Sequence, residues 1–176
     1  MQILSIVKKH LKQFSPAVMK ELKRIGLILE FNPKDLTVEF ECEDPFIELK
    51  AKDVLIALGI GGVPYREALR LFSDEYMLKI VDMREITGDK ERDIRRILAR
   101  IIGTEGKTKR IIEEITEVHM TICDDQIFLI GRLEGVQLAS DAIDAIVRGS
   151  PHKKVYHLLE VGRRKIKEEK MKLWKE

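Results

Sequence analysis

The sequence predicts a mixed α/β fold of the α+β type, made of two tandem units that share the element order β-α-α-β-β-α. Three observations support this prediction. Segments rich in β-branched residues alternate with amphipathic helical segments. The succession helix, hairpin, helix occurs twice along the chain. A length of 176 residues also suffices for two small hydrophobic cores.

The first unit is expected to cover residues 1–74. Asn32-Pro-Lys-Asp35 has the composition of a tight turn between two strands, and Gly59-Ile-Gly-Gly62 ends a helix. The predicted elements are a strand (2–7), a helix (11–25), a hairpin (27–31 with 36–40) and two helices (46–58 and 64–72).

The second unit is expected to cover residues 75–151 and has the clearer pattern. Its first helix shows an apolar stripe at i, i+3, i+4 and i+7 and an arginine every fourth residue on another face. The stripe contains Ile94, Ile97, Leu98 and Ile101, and the arginines are Arg92, Arg96 and Arg100. The predicted elements are strands at 76–83, 118–123 and 126–130, and helices from 90, from 107 and at 134–148.

A glycine loop, Gly103-Thr-Glu-Gly106, interrupts the helical pattern of the second unit and is followed by Lys-Thr-Lys-Arg110. A Walker-type nucleotide loop needs four residues between its glycines and joins a strand to a helix. Here only two residues separate the glycines, and the loop joins two helices. The sequence therefore argues against a nucleotide-hydrolase site. No pair of glycines with this spacing occurs between Lys8 and Gly26 in the first unit.

A Gly-x-x-Gly turn between two helices of a βααββα unit is typical of the type I KH domain, which binds single-stranded RNA. Glycines lack a Cβ, so a sugar-phosphate backbone can lie against the loop and meet the N–H groups that begin the next helix. We predict an RNA-binding set made of the loop, its basic flanks, one apolar neighbour and one residue of the tail. It comprises Arg96, Arg100, Ile102, Gly103, Thr104, Glu105, Gly106, Lys107, Thr108, Lys109, Arg110 and Lys153.

Charge is informative only locally, because the net charge is +2. Residues 92–110 hold seven basic and two acidic side chains, so positive charge collects beside the glycines. The alternative is a solvated face with a glycine cap, or a surface that docks a protein. The latter makes the chain a protein-interaction adaptor with little direct RNA binding.

Other chemistry finds no support in the sequence. The four histidines have no i, i+4 pairing, and Cys42 and Cys123 are far apart, so we expect no metal, no disulfide and no cofactor. The acidic pairs at 113–114 and 124–125 have no companion nucleophile, which predicts a protein that is not an enzyme. No apolar run is long enough for a bilayer, and we expect an intracellular protein without membrane contact.

Residues 152–176 form a basic tail with nine Lys or Arg and four Glu. We expect a helix there, either solvated or in auxiliary contact with RNA or protein. Tyr156 and Trp174 could stack on bases, although packing against a neighbouring helix is the favoured interpretation.

The segments 101–110, 113–116 and 149–156 resemble the KH proteins of small-subunit ribosome assembly in eukaryotes and archaea, a KRR-like pre-rRNA processing family. These proteins are partners of the PIN-domain endonuclease that trims the 3′ end of small-subunit rRNA. The resemblance covers nearly the whole chain, including the absence of a glycine loop in the first unit. The chain departs from the family at Glu105, since members usually carry a basic residue within this loop.

The resemblance implies a non-catalytic assembly factor that holds single-stranded pre-rRNA near the 3′ end of small-subunit rRNA. The implied partners are that endonuclease and other pre-40S factors. The implied location is the nucleolus and nucleus with shuttling to the cytoplasm, or the cytoplasm of an archaeon.

Overall fold

The structure is a computed structural model and describes residues 2–174. The strands are β1 (Gln2–Ser5), β2 (Ile28–Asn32), β3 (Thr37–Glu41), β4 (Met77–Asp82), β5 (His119–Cys123) and β6 (Gln126–Gly131). The α-helices are α1 (Pro16–Arg24), α2 (Pro45–Gly59), α3 (Tyr65–Leu69), α4 (Met83–Thr87), α5 (Glu91–Ile102), α6 (Lys107–Thr116), α7 (Leu133–Val147) and α8 (His152–Leu173). Short 3₁₀ helices cover Lys8–Phe14, Arg70–Phe72 and Thr104–Gly106.

The strands form two antiparallel three-stranded sheets with the same topology, in the orders β1-β3-β2 and β4-β6-β5. In each sheet the last strand along the chain lies between the other two and forms a hairpin with the strand before it. The predicted fold class, two tandem βααββα units, is confirmed.

Proline divides the first helical segment of the first unit. The sequence pattern predicted one helix over residues 11–25, whereas the structure has a 3₁₀ helix followed by α1. Pro16 is the first residue of α1, and Ser15 before it is extended (φ −63°, ψ 156°). The proline ring disfavours helical geometry at the preceding residue, so a continuous helix cannot pass this point.

In the second unit a short helix, α4, lies where the sequence suggested only a break between β4 and α5. The Asp82 side chain accepts a hydrogen bond from Arg84 N at 2.9 Å and ends the strand one residue earlier than expected. Gly88 then ends α4 with φ 79°. The predicted apolar stripe of α5 is buried in full: Ile94, Ile97, Leu98 and Ile101 lie in the core.

The two units share an interface along β6, which is buried on both faces. Ile127 and Leu129 belong to the core of the second unit, while Phe128 and Ile130 pack into the core of the first. A side chain at Gly61 would collide with the Phe128 ring at 2.7 Å, so the loop that follows α2 approaches the sheet closely. The sheet of the unit that contains the glycine loop is therefore braced by the first unit.

Helix α8 packs along α6 and α7, with Val155 and Leu159 fully buried in the second core. Its far end extends into solvent. Trp174 is 90% exposed, so the expected packing of this side chain is wrong. None of the helices within residues 2–174 has both the length and the apolar composition that crossing a bilayer requires.

Candidate nucleic-acid interface

The glycine loop is a left-handed bend between α5 and α6. Positive φ angles occur at Gly103 (75°), Glu105 (52°) and Gly106 (72°). Such angles cost little for glycine and more for other residues, so the loop depends on its two glycines. Glu105 adopts the left-handed conformation without being glycine.

Gly103 is required for a second reason, which is the close approach of α6. A Cβ on Gly103 would lie 2.8 Å from both Cβ and N of Thr108. Its ψ of 174° places it in a backbone region that is essentially restricted to glycine. This glycine therefore fixes how tightly the loop folds over the first turn of α6.

Gly106 has open space around it instead. A Cβ built there would have no non-neighbouring heavy atom within 4 Å. The loop is thus closed on the side of Gly103 and open on the side of Gly106. Among residues 2–174, no side chain caps the N-terminus of α6, which begins at this open side.

Thr108 supports the loop from its buried side, where α6 faces α8. The residue is 2% exposed, and its hydroxyl lies 3.0 Å from the Tyr156 hydroxyl. His152, one turn earlier on α8, donates from Nε2 to Arg100 O at 2.8 Å. The first turn of α8 therefore connects the end of α5 to the start of α6. The sequence placed Thr108 in the RNA-binding set, and the structure places its side chain inside the protein.

Arg100 is likewise held by the chain itself. Its guanidinium donates to the carbonyl oxygens of Ile146 at 2.8 Å and Ser150 at 2.6 Å, where α7 ends. Arg96, one turn before Arg100 on α5, is exposed and pairs with Asp93 at 3.3 Å. Of the three arginines predicted on one face of α5, Arg100 is thus structural, whereas Arg92 and Arg96 are exposed.

The exposed cations beside the loop are Lys107, Arg110 and Lys153. Arg110 donates to the carbonyl oxygen of Glu105 at 3.3 Å, which holds its guanidinium near the bend. Within residues 2–174, Lys107 and Lys153 have no ion-pair partner. The half-buried Lys109 lies 3.3 Å from Glu113.

The remaining predicted positions lie on the outside of the bend. Thr104 and Glu105 are exposed, and Ile102 is 37% exposed. Ile112 on α6 is fully buried in the second core, at an inward position of the helical period.

Sequence reasoning missed the positioning role of Tyr156 and His152. Both lie in the segment 149–156 that carried the family resemblance, but a polar tip on a half-buried side chain has no periodic signal. Their rings also stack on each other, with centroids 6.2 Å apart. Among the described residues, no group of His, Cys, Asp and Glu side chains has the arrangement of a metal site.

Comparisons with known proteins agree with this geometry. A family model described as a eukaryotic type KH domain (KH-domain type I), the second such domain of PNO1, matches residues 77–164. A KH domain-containing protein of Methanocaldococcus jannaschii is 35% identical over 87% of this chain and 68% of its own length. The RNA-binding protein PNO1 of Oryzias latipes is 32% identical over 83% of this chain and 60% of its own.

The pre-rRNA-processing protein PNO1 of Saccharomyces cerevisiae is 30% identical over 91% of this chain and 55% of its own length. The chain thus spans 55% to 68% of the length of these three curated relatives.

Solved structures show the same architecture. A crystal structure of an Aeropyrum pernix protein superposes with a TM-score of 0.89 at 30% identity, covering 98% of this chain and 96% of that one. Dim2p of Pyrococcus horikoshii, crystallised with a/eIF2α and rRNA, superposes with a TM-score of 0.79 at 27% identity, covering 93% and 94%. The sequence and structure together show that the chain belongs to the PNO1 family of type I KH-domain proteins, which includes the RNA-binding protein of Oryzias latipes and the pre-rRNA-processing protein of Saccharomyces cerevisiae.

Proposed function

We propose that this chain binds single-stranded RNA at the glycine loop and acts as a non-catalytic factor in small-subunit rRNA maturation. The observation that carries the proposal is the open side of the loop. A bend without side chains at Gly106 leads directly into the uncapped N-terminus of α6, and exposed cations flank it. Phosphate oxygens bind favourably where free backbone N–H groups and positive charge coincide.

The proposed contacts divide into two kinds. Lys107, Arg110 and Lys153 attract the phosphates, while Ile102 offers an apolar surface beside the strand. Arg100 and Thr108 act from inside, by holding α7 and α8 against the loop. The loop therefore holds a backbone and selects bases only weakly.

The proposed target is pre-rRNA near the 3′ end of small-subunit rRNA, with the PIN-domain endonuclease and other pre-40S factors as partners. Two findings support it: the yeast relative is a pre-rRNA-processing protein, and the Pyrococcus relative was crystallised with rRNA. The endonuclease as a partner and the 3′ end as the target are implied by the family resemblance. In a eukaryotic cell the protein would act in the nucleolus and nucleus and shuttle to the cytoplasm, and in an archaeon it would act in the cytoplasm.

A pair of aspartate substitutions tests the RNA site. Gly106→Asp places a carboxylate on the open side of the loop, and we expect RNA affinity to fall by at least about tenfold. Gly26→Asp is the matched control, because Gly26 also has a positive φ (100°) and no non-neighbouring atom within 4 Å of a built Cβ. Fluorescence anisotropy with a labelled single-stranded RNA measures both. Equal affinities of the two folded variants would contradict the proposal.

The same titration at several salt concentrations tests the phosphate contacts. Three or four contacts on a single strand should give a slope of about −2 to −3 for log K against log salt. A flat dependence would instead favour the adaptor alternative, in which RNA is not the ligand.

A substitution at Glu105 should raise RNA affinity, whereas Gly106→Asp should lower it. Glu105→Lys removes a carboxylate from the bend and adds a cation, and we expect affinity to rise by about threefold. Glu117→Lys is the control, because Glu117 is also exposed and left-handed (φ 57°) but lies at the other end of α6. If the two variants tighten binding equally, the effect comes from net charge and not from the loop.

A further inference from the structure

A second concave surface lies at the end of α6 that is remote from the glycine loop. This surface, here called the α8 cleft, has a volume of about 200 Å³ and is formed by both units. Helix α8 forms one side, and the junction between the units, the end of α6 and the start of α7 form the rest. Its principal residues are Arg70, Tyr76, Ile115, Arg132, Arg163 and Lys167.

The base of the cleft is partly apolar. Ile115 on α6 and Ile166 on α8 are both half-buried and pack against the second core. Tyr76 contributes its ring from the junction between the units, and Arg70 lies over that ring at 4.3 Å. The cleft can therefore hold an apolar side chain as well as charged groups.

Positive charge predominates around the cleft, with five cations against two carboxylates, Glu117 and Glu134. Arg70 and Arg132 are neutralised by Glu67 at 2.7 Å and Glu75 at 2.8 Å. The three cations of α8 that line the cleft, Arg163, Lys167 and Lys170, have no ion-pair partner in the part of the chain that the structure describes. Their spacing of four and three residues places them on one face of the helix.

The cleft is not a continuation of the RNA site. Thr108 and Thr116 are eight residues apart on α6, which corresponds to about 12 Å along the helix axis. Exposed carboxylates occur along this part of α6 and α8, at Glu114 and Glu160. An RNA strand that left the loop in this direction would be repelled by these carboxylates before it reached the cations of the cleft.

We propose that the α8 cleft docks an acidic segment of a partner protein that carries an aliphatic or aromatic anchor side chain. The carboxylates of such a segment match the three unpaired cations, and the anchor fits the apolar base beside Ile115 and Ile166. Because Arg70 and Tyr76 belong to the junction, the segment contacts both units at once. Docking of this segment does not depend on RNA binding at the loop.

The test uses a labelled short peptide of alternating Asp and Leu. Lys167→Glu with Lys170→Glu reverses two exposed cations of the cleft. Lys165→Glu with Lys172→Glu is the matched control, with the same charge change at exposed positions of the same helix outside the cleft. We expect the intact protein to bind the peptide, the cleft variant to lose at least about tenfold in affinity and the control to change by less than about threefold.

Two further measurements separate this proposal from the RNA site. Gly106→Asp should bind the peptide normally, and the cleft variant should bind single-stranded RNA normally. A peptide in which Lys replaces Asp should not bind. The proposal is overturned if the intact protein does not bind the acidic peptide, or if both helix variants lose the same affinity for it. It is also overturned if the cleft variant loses affinity for RNA but not for the peptide.

Discussion

The two units have the same strand order but differ at the junction between their first two helices. In the first unit the junction is Ser15-Pro16, and the Ser15 hydroxyl accepts a hydrogen bond from Val18 N at 3.4 Å. In the second it is the left-handed Gly103–Gly106 bend, with no side-chain cap on α6 among the described residues. The start of α1 is capped by a side chain of its own chain, whereas the start of α6 is where we propose that RNA binds.

The units also differ in what covers the outer face of each sheet. In the first sheet this face carries Ile3 and Ile28, which are 66% and 59% exposed. In the second sheet it carries Phe128 and Ile130, which are fully buried against the first unit. The first unit therefore braces the second, while only the second has an open bend between its first two helices.

The largest expected effect comes from the shared interface. Phe128→Ala should lower the free energy of unfolding by about 3 to 5 kcal/mol, because a fully buried aromatic side chain leaves a cavity between the units. We expect a single urea transition with the same midpoint by circular dichroism and by tyrosine fluorescence, because both cores lose contacts.

Ile3→Ala is the control for this prediction, on the corresponding face of the first sheet. Its side chain is mostly exposed, so the expected loss is within about 0.5 kcal/mol. Two separate transitions in Phe128→Ala, with the first unit unchanged, would show that the units are stable independently of each other.

The burial of both faces of β6 was partly predictable from the sequence. Residues 127–130, Ile-Phe-Leu-Ile, are apolar at consecutive positions, a pattern typical of a strand covered on both faces. The pattern cannot say what covers the second face. The order of elements along the chain, the hairpins and the buried stripe of α5 were predictable because they depend on local periodicity and hairpin geometry.

The two glycines of the loop should differ in their effect on stability. Gly103→Ala combines an unfavourable backbone conformation with a collision against Thr108, and we expect a loss of about 2 to 3 kcal/mol. Gly106→Ala meets no neighbour and should cost about 1 kcal/mol, from its positive φ alone. Urea denaturation measures both, and equal losses would contradict the assignment of a packing role to Gly103.

This difference could not have been read from the sequence. The spacing of Gly103 and Gly106 predicted a bend, but it gave both glycines the same role. Which of them faces Thr108 depends on the packing of α6 against α8, where Thr108 meets Tyr156. Likewise, the positive charge of Arg100 was evident, whereas its bonds to carbonyl oxygens at the end of α7 depend on the tertiary fold.

The junction of the first unit should affect stability and not RNA binding. Ser15→Ala removes a long cap hydrogen bond, and the expected loss is about 0.5 to 1 kcal/mol. RNA affinity measured by anisotropy should stay the same, because this helix start offers no open bend. A clear loss of RNA affinity in the folded variant would show that the first unit also contacts RNA.

The smallest expected effect is a pH dependence at the contact between the units. Burial lowers the pKa of His119 below its ordinary value of 6.5, and this outweighs the nearby carboxylates Glu67 and Glu113, which raise it. Lys109 and Arg70 lower it further. In the window between the lowered native pKa and 6.5, the unfolded chain binds more protons than the native one.

Stability should therefore fall as the pH decreases from above 6.5 through the native pKa of His119. His119→Asn removes this contribution, so the free energy of unfolding of the variant should decline less over that window. Carboxylates with lowered pKa, such as Asp82 and Asp124, lose their contribution at lower pH in both proteins, which leaves the difference between them to His119. A parallel decline in wild type and variant would mean that His119 is as well solvated in the native state as in the unfolded one, and that the units meet less closely there than at Phe128.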